Sequence, residues 1–152
     1  INQVVVTSSR SKLSSKCAAK ALASYMQSKT MKVAIIDFSS KAQKSNIDNE
    51  QPSMGSFVIS EHVGDITVLR TDGDLTSMDF LAQRGFWKQI SSLNSTFDLV
   101  FSCADNEDSI SLLSALEGHK LFHIALARIK NTKSATIAQM ISYLPIQGLL
   151  DD

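Results

Sequence analysis

QVVVTSSRSKLSSKCAAKALASYMQSKTMKVAIID, residues 3–37, is the stretch whose reading decides the fold. It opens on Val4, Val5 and Val6 and closes on Val33, Ala34, Ile35 and Ile36. Runs that are apolar on both faces suit strands covered on both sides, as in a parallel sheet. Between them Ala18, Ala19, Leu22, Ala23 and Met26 recur at helical spacing, which predicts an amphipathic helix over Ser14–Ser28. Strand, polar connection, helix and strand together make a βαβ unit with a right-handed crossover.

The same rhythm runs outward from this unit. Strands are predicted at Gln3–Thr7, Lys32–Asp37, Ile66–Arg70, Asp98–Cys103 and Leu121–Ala127. Helices are predicted at Ser14–Ser28, Ser77–Leu93, Glu107–Glu117 and Lys133–Leu144, the third with Ile110, Leu112, Leu113 and Leu116 on its apolar face. The expectation is one domain over 1–152: an α/β three-layer sandwich with a mainly parallel sheet. The polar stretch FSSKAQKSNIDNEQPSMGS, with Pro52 near its end, reads as a mobile surface loop, with a binding loop at the sheet edge as the alternative.

Composition narrows the function classes. With 152 residues, 43% of them apolar, the chain can bury a sizeable core without staples. Fifteen Lys+Arg balance fifteen Asp+Glu, so net charge gives no argument for a nucleic-acid partner. Two cysteines, Cys17 and Cys103, make no disulfide framework; both stand in core-like patterns and fit a reducing compartment. No apolar run approaches the ~20 residues of a membrane helix, and the start lacks the apolar core of a signal peptide. The chain begins at Ile1, and the expectation is a soluble fragment of a longer membrane protein, touching the membrane only through segments outside it.

In an open parallel sheet, ligands sit beyond the carboxyl ends of the strands. The connection after the first strand has the placement of a phosphate loop, leading into a helix N-terminus that attracts anions. Of six glycines, however, the first is Gly55, so no glycine-built loop can stand there.

Three blocks carry a family resemblance. VVVTSSRSKLSSKCAAKALASYMQSKTMKVAIIDFSSK resembles the start of the cytoplasmic domain of bacterial tyrosine kinases and polysaccharide co-polymerases, relatives of the ParA/MinD-type P-loop ATPases. The family pattern there is a strand, TSxxPGEGKST, then a helix of the type xAxNLAxxLAxxGxKVLLIDxDLR. Thr7, Ser8, Ala19, Leu22, Ala23, Lys32, Val33, Ile36 and Asp37 fall in place without a gap. FDLVFSCAD, ending at Asp105, looks like the family's yDxVIIDtPP, and LFHIALARIKNTKSATIAQMISYLPIQGLL resembles its last strand, loop and helix. The resemblance implies a P-loop NTPase-like fold.

It also implies a nucleotide site whose residues have changed. In the ungapped register the loop proline becomes Ser11, the glycines Lys12 and Ser14, the nucleotide lysine Ser15, and the Ser-Thr pair Lys16 and Cys17. Side chains at glycine positions obstruct the approach of backbone N–H groups to phosphate. Sliding by one residue makes Lys16 the phosphate lysine, but Cys17 then takes the Mg²⁺ hydroxyl position, where a neutral thiol is a poor ligand for a hard cation. Of the family's DxDxR only Asp37 remains, and its metal-holding aspartate corresponds to Cys103. Phosphoryl transfer needs positioning and metal neutralisation of charge. The tyrosine cluster of the family is missing: Tyr25 and Tyr143 both read as packed helix positions.

The remaining groups read as structural. His62, His119 and His123 do not share metal-ligand spacing with the cysteines, and Asp72-Gly73-Asp74 reads as a turn. Phe80, Phe86 and Trp87 read as core, with an interface patch as the alternative. Arg128, Lys130 and Lys133 follow the fifth strand and form a possible docking surface for an acidic partner.

The expectation is a catalytically inactive regulatory or interaction domain of an exopolysaccharide or lipopolysaccharide biosynthesis, chain-length or export protein. It would lie on the cytoplasmic side of the bacterial inner membrane, with polysaccharide export or polymerisation proteins or further copies of itself as partners, and with no cofactor. The alternative is a divergent ATPase or tyrosine kinase that takes ATP and Mg²⁺ and uses Lys16 and Asp37.

Overall fold

The computed structural model describes residues 2–9, 14–39, 53–71 and 77–126. Seven strands form one sheet: β1 (Gln3–Ser8), β2 (Val33–Asp37), β3 (Ser53–Met54), β4 (Phe57–Val63), β5 (Ile66–Thr71), β6 (Leu99–Asp105) and β7 (Phe122–Leu126). Their order is β3-β4-β5-β2-β6-β1-β7. The five strands from β5 to β7 in that order pair in parallel, while β4 runs antiparallel to β5 and β3 antiparallel to β4. The helices are α1 (Ser15–Gln27), α2 (Ser77–Ala82), α3 (Phe86–Ser92) and α4 (Asn106–Leu116).

Alternation along each strand divides the apolar side chains between two cores, because successive residues face opposite sides of a sheet. On one side α1 presses Ala19 and Ala23 against Val4, Val6, Val33, Ile35, Val68, Leu99, Phe101 and Cys103. On the other, Val5, Ala34, Ile36, Leu69, Val100 and Ala104 meet Phe80 and Leu81 of α2, Ile90 of α3 and the three leucines of α4. Helices therefore cover both faces, giving the α/β three-layer P-loop-like sandwich.

All five predicted strands are present, with ends shifted by up to two residues. Lys133–Leu144 and Tyr143 lie outside the described residues. The predicted helix Ser77–Leu93 is instead two helices, followed by a 3₁₀ turn over Leu93–Ser95. Gly85 causes the break: it sits at φ 86°, in the left-handed region that a residue without Cβ enters at no steric cost. Apolar spacing is kept across the break, with Phe80, Ile90 and Leu93 all reaching the same core. Phe86 and Trp87 are half-buried against it, and Trp87 stacks on His119 with ring centroids 4.4 Å apart.

β4 has no counterpart in the sequence pattern, and part of the polar stretch forms β3 beside it. Gly64, at φ 63°, and Asp65 turn β4 into β5. Within β4 the register slips between Ile59 and Glu61, so Ser60 is an extra residue, a β-bulge. Before it, Phe57 and Ile59 face the α2–α4 core; after it, Val63 faces the α1 core. One inserted residue exchanges the faces.

At the β1–β7 seam, His123 is 8% exposed and its Nε2 lies 2.8 Å from the Thr7 hydroxyl. Its Nδ1 has no hydrogen-bond partner among the described residues. Burial lowers its pKa from 6.5 to about 4. Between those values the unfolded chain binds the proton and the native state does not, so stability rises with pH across that window. The contribution, about 3 kcal/mol, is complete above pH 6.5 and lost as pH falls towards 4. Urea unfolding at pH 7.5 and 4.5 should show this loss in the wild type and a smaller one in His123→Gln. Equal slopes for the two would disprove the assignment.

Candidate functional site

The carboxyl ends of β1, β2 and β6 and the N-terminus of α1 meet at one edge of the sheet. Parallel register fixes what stands beside what: Asp37 pairs with Cys103, Val6 with Cys103, and Ser8 with Asp105. Of the residues that the resemblance aligns with a nucleotide site, Ser14, Ser15, Lys16, Cys17, Asp37 and Cys103 are described; Ser11 and Lys12 lie outside the described residues, as do Arg128, Lys130 and Lys133.

α1 begins with a side-chain cap. Ser14 has extended backbone, and its hydroxyl accepts from the Cys17 N–H at 3.1 Å. This satisfies one of the donors that every helix N-terminus leaves open. The next is taken from across the sheet, where the Ser15 N–H donates to Asp105 Oδ1 at 2.9 Å. Asp105 is thus a carboxylate placed on the positive end of the α1 dipole.

Lys16 points to two carboxylates. Its Nζ lies 3.7 Å from Asp37 Oδ2 and 3.1 Å from Glu61 Oε1, and Lys20 Nζ lies 2.9 Å from the same Glu61 oxygen. Burial opposes the charge on Lys16, but the hydrogen bond it donates to Glu61 and the charge of Asp37 outweigh it and leave its pKa raised. The hydrogen bond from Lys20, with Lys16 behind it, lowers the Glu61 pKa. Asp37 also accepts the Ser39 N–H at 3.0 Å, so it caps the chain leaving β2, the structural role a polar strand end can fill.

Cys103 is fully buried, and its thiol donates to the Ile36 carbonyl at 3.4 Å. Burial, then the carboxylates of Asp37 and Asp105, push its pKa well above the usual thiol value. It is a neutral packing group at the position that the sequence resemblance aligns with a metal-holding aspartate. Cys17, by contrast, is exposed in the first turn of α1, which corrects the core reading of that residue. Both cysteines are free thiols, one on the surface and one inside the sheet. Tyr25 is corrected likewise: it is 61% exposed, with Lys29 Nζ 5.4 Å from its ring centre.

These groups do not fit ATP with Mg²⁺. Cys103, aligned by the resemblance with the metal-holding aspartate, offers an uncharged sulfur, the first helix N–H is occupied by a carboxylate, and the lysine is already ion-paired. An incoming triphosphate would meet Asp37, Glu61 and Asp105 as like charges. Two members of this cluster were not singled out in the sequence: Glu61, because β4 was not legible as a strand, and Lys20, a polar position of the predicted helix whose partner is Glu61. Asp105 stands in the FDLVFSCAD block without an assigned role.

No protein-family model matches the chain, and no curated protein matches it. Among solved structures, the crystal structure of the chimerical protein CapA2B2 is similar to it with a TM-score of 0.66. The match covers 94% of this chain and 71% of that one at 15% sequence identity. At that identity the likeness shows the fold.

Proposed function

We propose that the chain is a P-loop-like regulatory or interaction domain without nucleotide chemistry, belonging to a bacterial exopolysaccharide or lipopolysaccharide biosynthesis, chain-length or export protein. Cys103 is the observation that carries the first half. A neutral, fully buried thiol bonded to a backbone carbonyl stands at the position that the resemblance aligns with the metal-side carboxylate of phosphoryl transfer. The second half is supported by the sequence blocks resembling the tyrosine kinase and co-polymerase family, together with the fold shared with CapA2B2. On this reading the domain works on the cytoplasmic side of the inner membrane, through polysaccharide export or polymerisation proteins or through further copies of itself.

A ligand bound only to the native state stabilises it by RT ln(1 + [L]/Kd). Millimolar ATP with Mg²⁺ should therefore leave the melting temperature unchanged, and no phosphate should be released. Turnover that depends on Mg²⁺ and disappears in Asp37→Ala would sink the proposal.

A second reading, a divergent NTPase, is favoured by one observation: Lys16 reaches to within 3.7 Å of Asp37 at the expected edge. Calorimetry separates the two. Binding of ATP by the wild type and its loss in Lys16→Ala would favour the enzyme.

A further inference from the structure

Among the described residues, the cations Lys16 and Lys20 at this edge are matched by anions that the fold supplies itself, and one of those is brought there by an irregularity. Phe57 and Ile59 pack in the α2–α4 core, so regular alternation would send residue 61 to the same side. The extra residue Ser60 reverses the alternation. Glu61 consequently pairs in register with Val68, a member of the α1 core, and lies on the face where Lys16 and Lys20 stand. The Ser60 hydroxyl donates to the Val68 carbonyl at 3.2 Å, a bond that gives the bulged residue a place in the ladder. Asp37 from β2 and Asp105 from β6 complete the set.

We propose that Glu61, delivered by the bulge, and Asp105 form an autoinhibitory contact in cis that closes this edge to phosphate groups. The inference rests on the reading of the edge as lacking nucleotide chemistry and adds its cause: the place of an external anion is filled by tethered ones. A tethered carboxylate has a high effective concentration beside its partner, so a free phosphate competes at a disadvantage. It also meets direct repulsion from three carboxylates.

The probe is inorganic phosphate, compared with chloride at equal ionic strength, on the wild type, Glu61→Gln, Asp105→Asn and the double variant. Wild-type melting should not respond to phosphate. The double variant should gain a phosphate-dependent rise of about 3–6 °C at tenfold excess over Kd, and Lys16→Ala in that background should abolish it. A wild type stabilised as much as the double variant would overturn the closure, and so would a folded double variant indifferent to phosphate. Should the double variant not fold, Glu61→Gln alone is read in the same way, since that side chain is 40% exposed and tolerates an isostere. Turnover of ATP by the wild type would instead overturn the proposed function, so the two failures are distinct.

Discussion

Phe80→Ala is expected to remove about 3–5 kcal/mol of stability, the range for emptying a buried aromatic site. Phe80 is 2% exposed. Its ring lies 6.2 Å from that of Phe38, nearly parallel, and 5.2 Å from that of Phe57, edge to face. The three rings come from α2, from the residue after β2 and from the start of β4, so they tie together elements far apart in sequence. Truncation leaves a cavity that Phe57 cannot fill without leaving β4, nor Phe38 without pulling on the end of β2. Because domains of this size hold only about 5–15 kcal/mol in total, a loss of this kind is a large share. Urea unfolding should show a lower midpoint at unchanged slope. Tyr25→Ala, at an exposed position, should move stability by no more than about 0.5 kcal/mol. If Phe80→Ala changed it equally little, the aromatic cluster would not be the joint described.

Cys103→Asp, which restores the carboxyl that the resemblance expects at this position, should destabilise the fold by about 3–5 kcal/mol at pH 7.5, and should not create a metal site. The forces that raise the thiol pKa act on a carboxyl in the same sense: burial first, then Asp37 beside it in register and Asp105 two residues along β6. The sign follows from proton counting. A carboxyl whose folded pKa is raised binds its proton in the native state at pH values where the unfolded chain has released it. Stability of the variant therefore falls as pH rises above about 4, and the deficit is complete above the folded pKa. This slope is opposite to that of His123. Unfolding at pH 4.5 and 7.5 measures it, and recovery of the deficit by millimolar Mg²⁺ would show that the edge still assembles a cation site.

The parts of the fold that sequence made legible are those where burial on both faces writes continuous apolar runs, as in Val4–Val6 and Val33–Ile36. β4 lacks that signature for a physical reason. Its bulge breaks the alternation, and its second half, from Ser60 to Val63, is only partly buried. The α2–α3 break was hidden because Ile90 and Leu93 return to the same core after Gly85 and so preserve the helical spacing. On α1 the fully covered stripe is narrow, Ser15, Ala19 and Ala23, which leaves Cys17, Leu22 and Tyr25 outside it. The site was legible to the same extent. The rule that ligand groups stand at strand carboxyl ends located Lys16, Asp37 and Cys103, but it says nothing about Glu61, which enters from the middle of an antiparallel strand.

The bulge at Ser60 also bears on how the molecule comes apart. The strands β1, β2, β5 and β6 already tie the two apolar layers together by simple alternation. Towards the margin of the sheet β4 does the same by means of its extra residue, with Phe57 and Ile59 anchored in one layer and Val63 in the other. Pulling β4 away therefore loosens both layers at that margin.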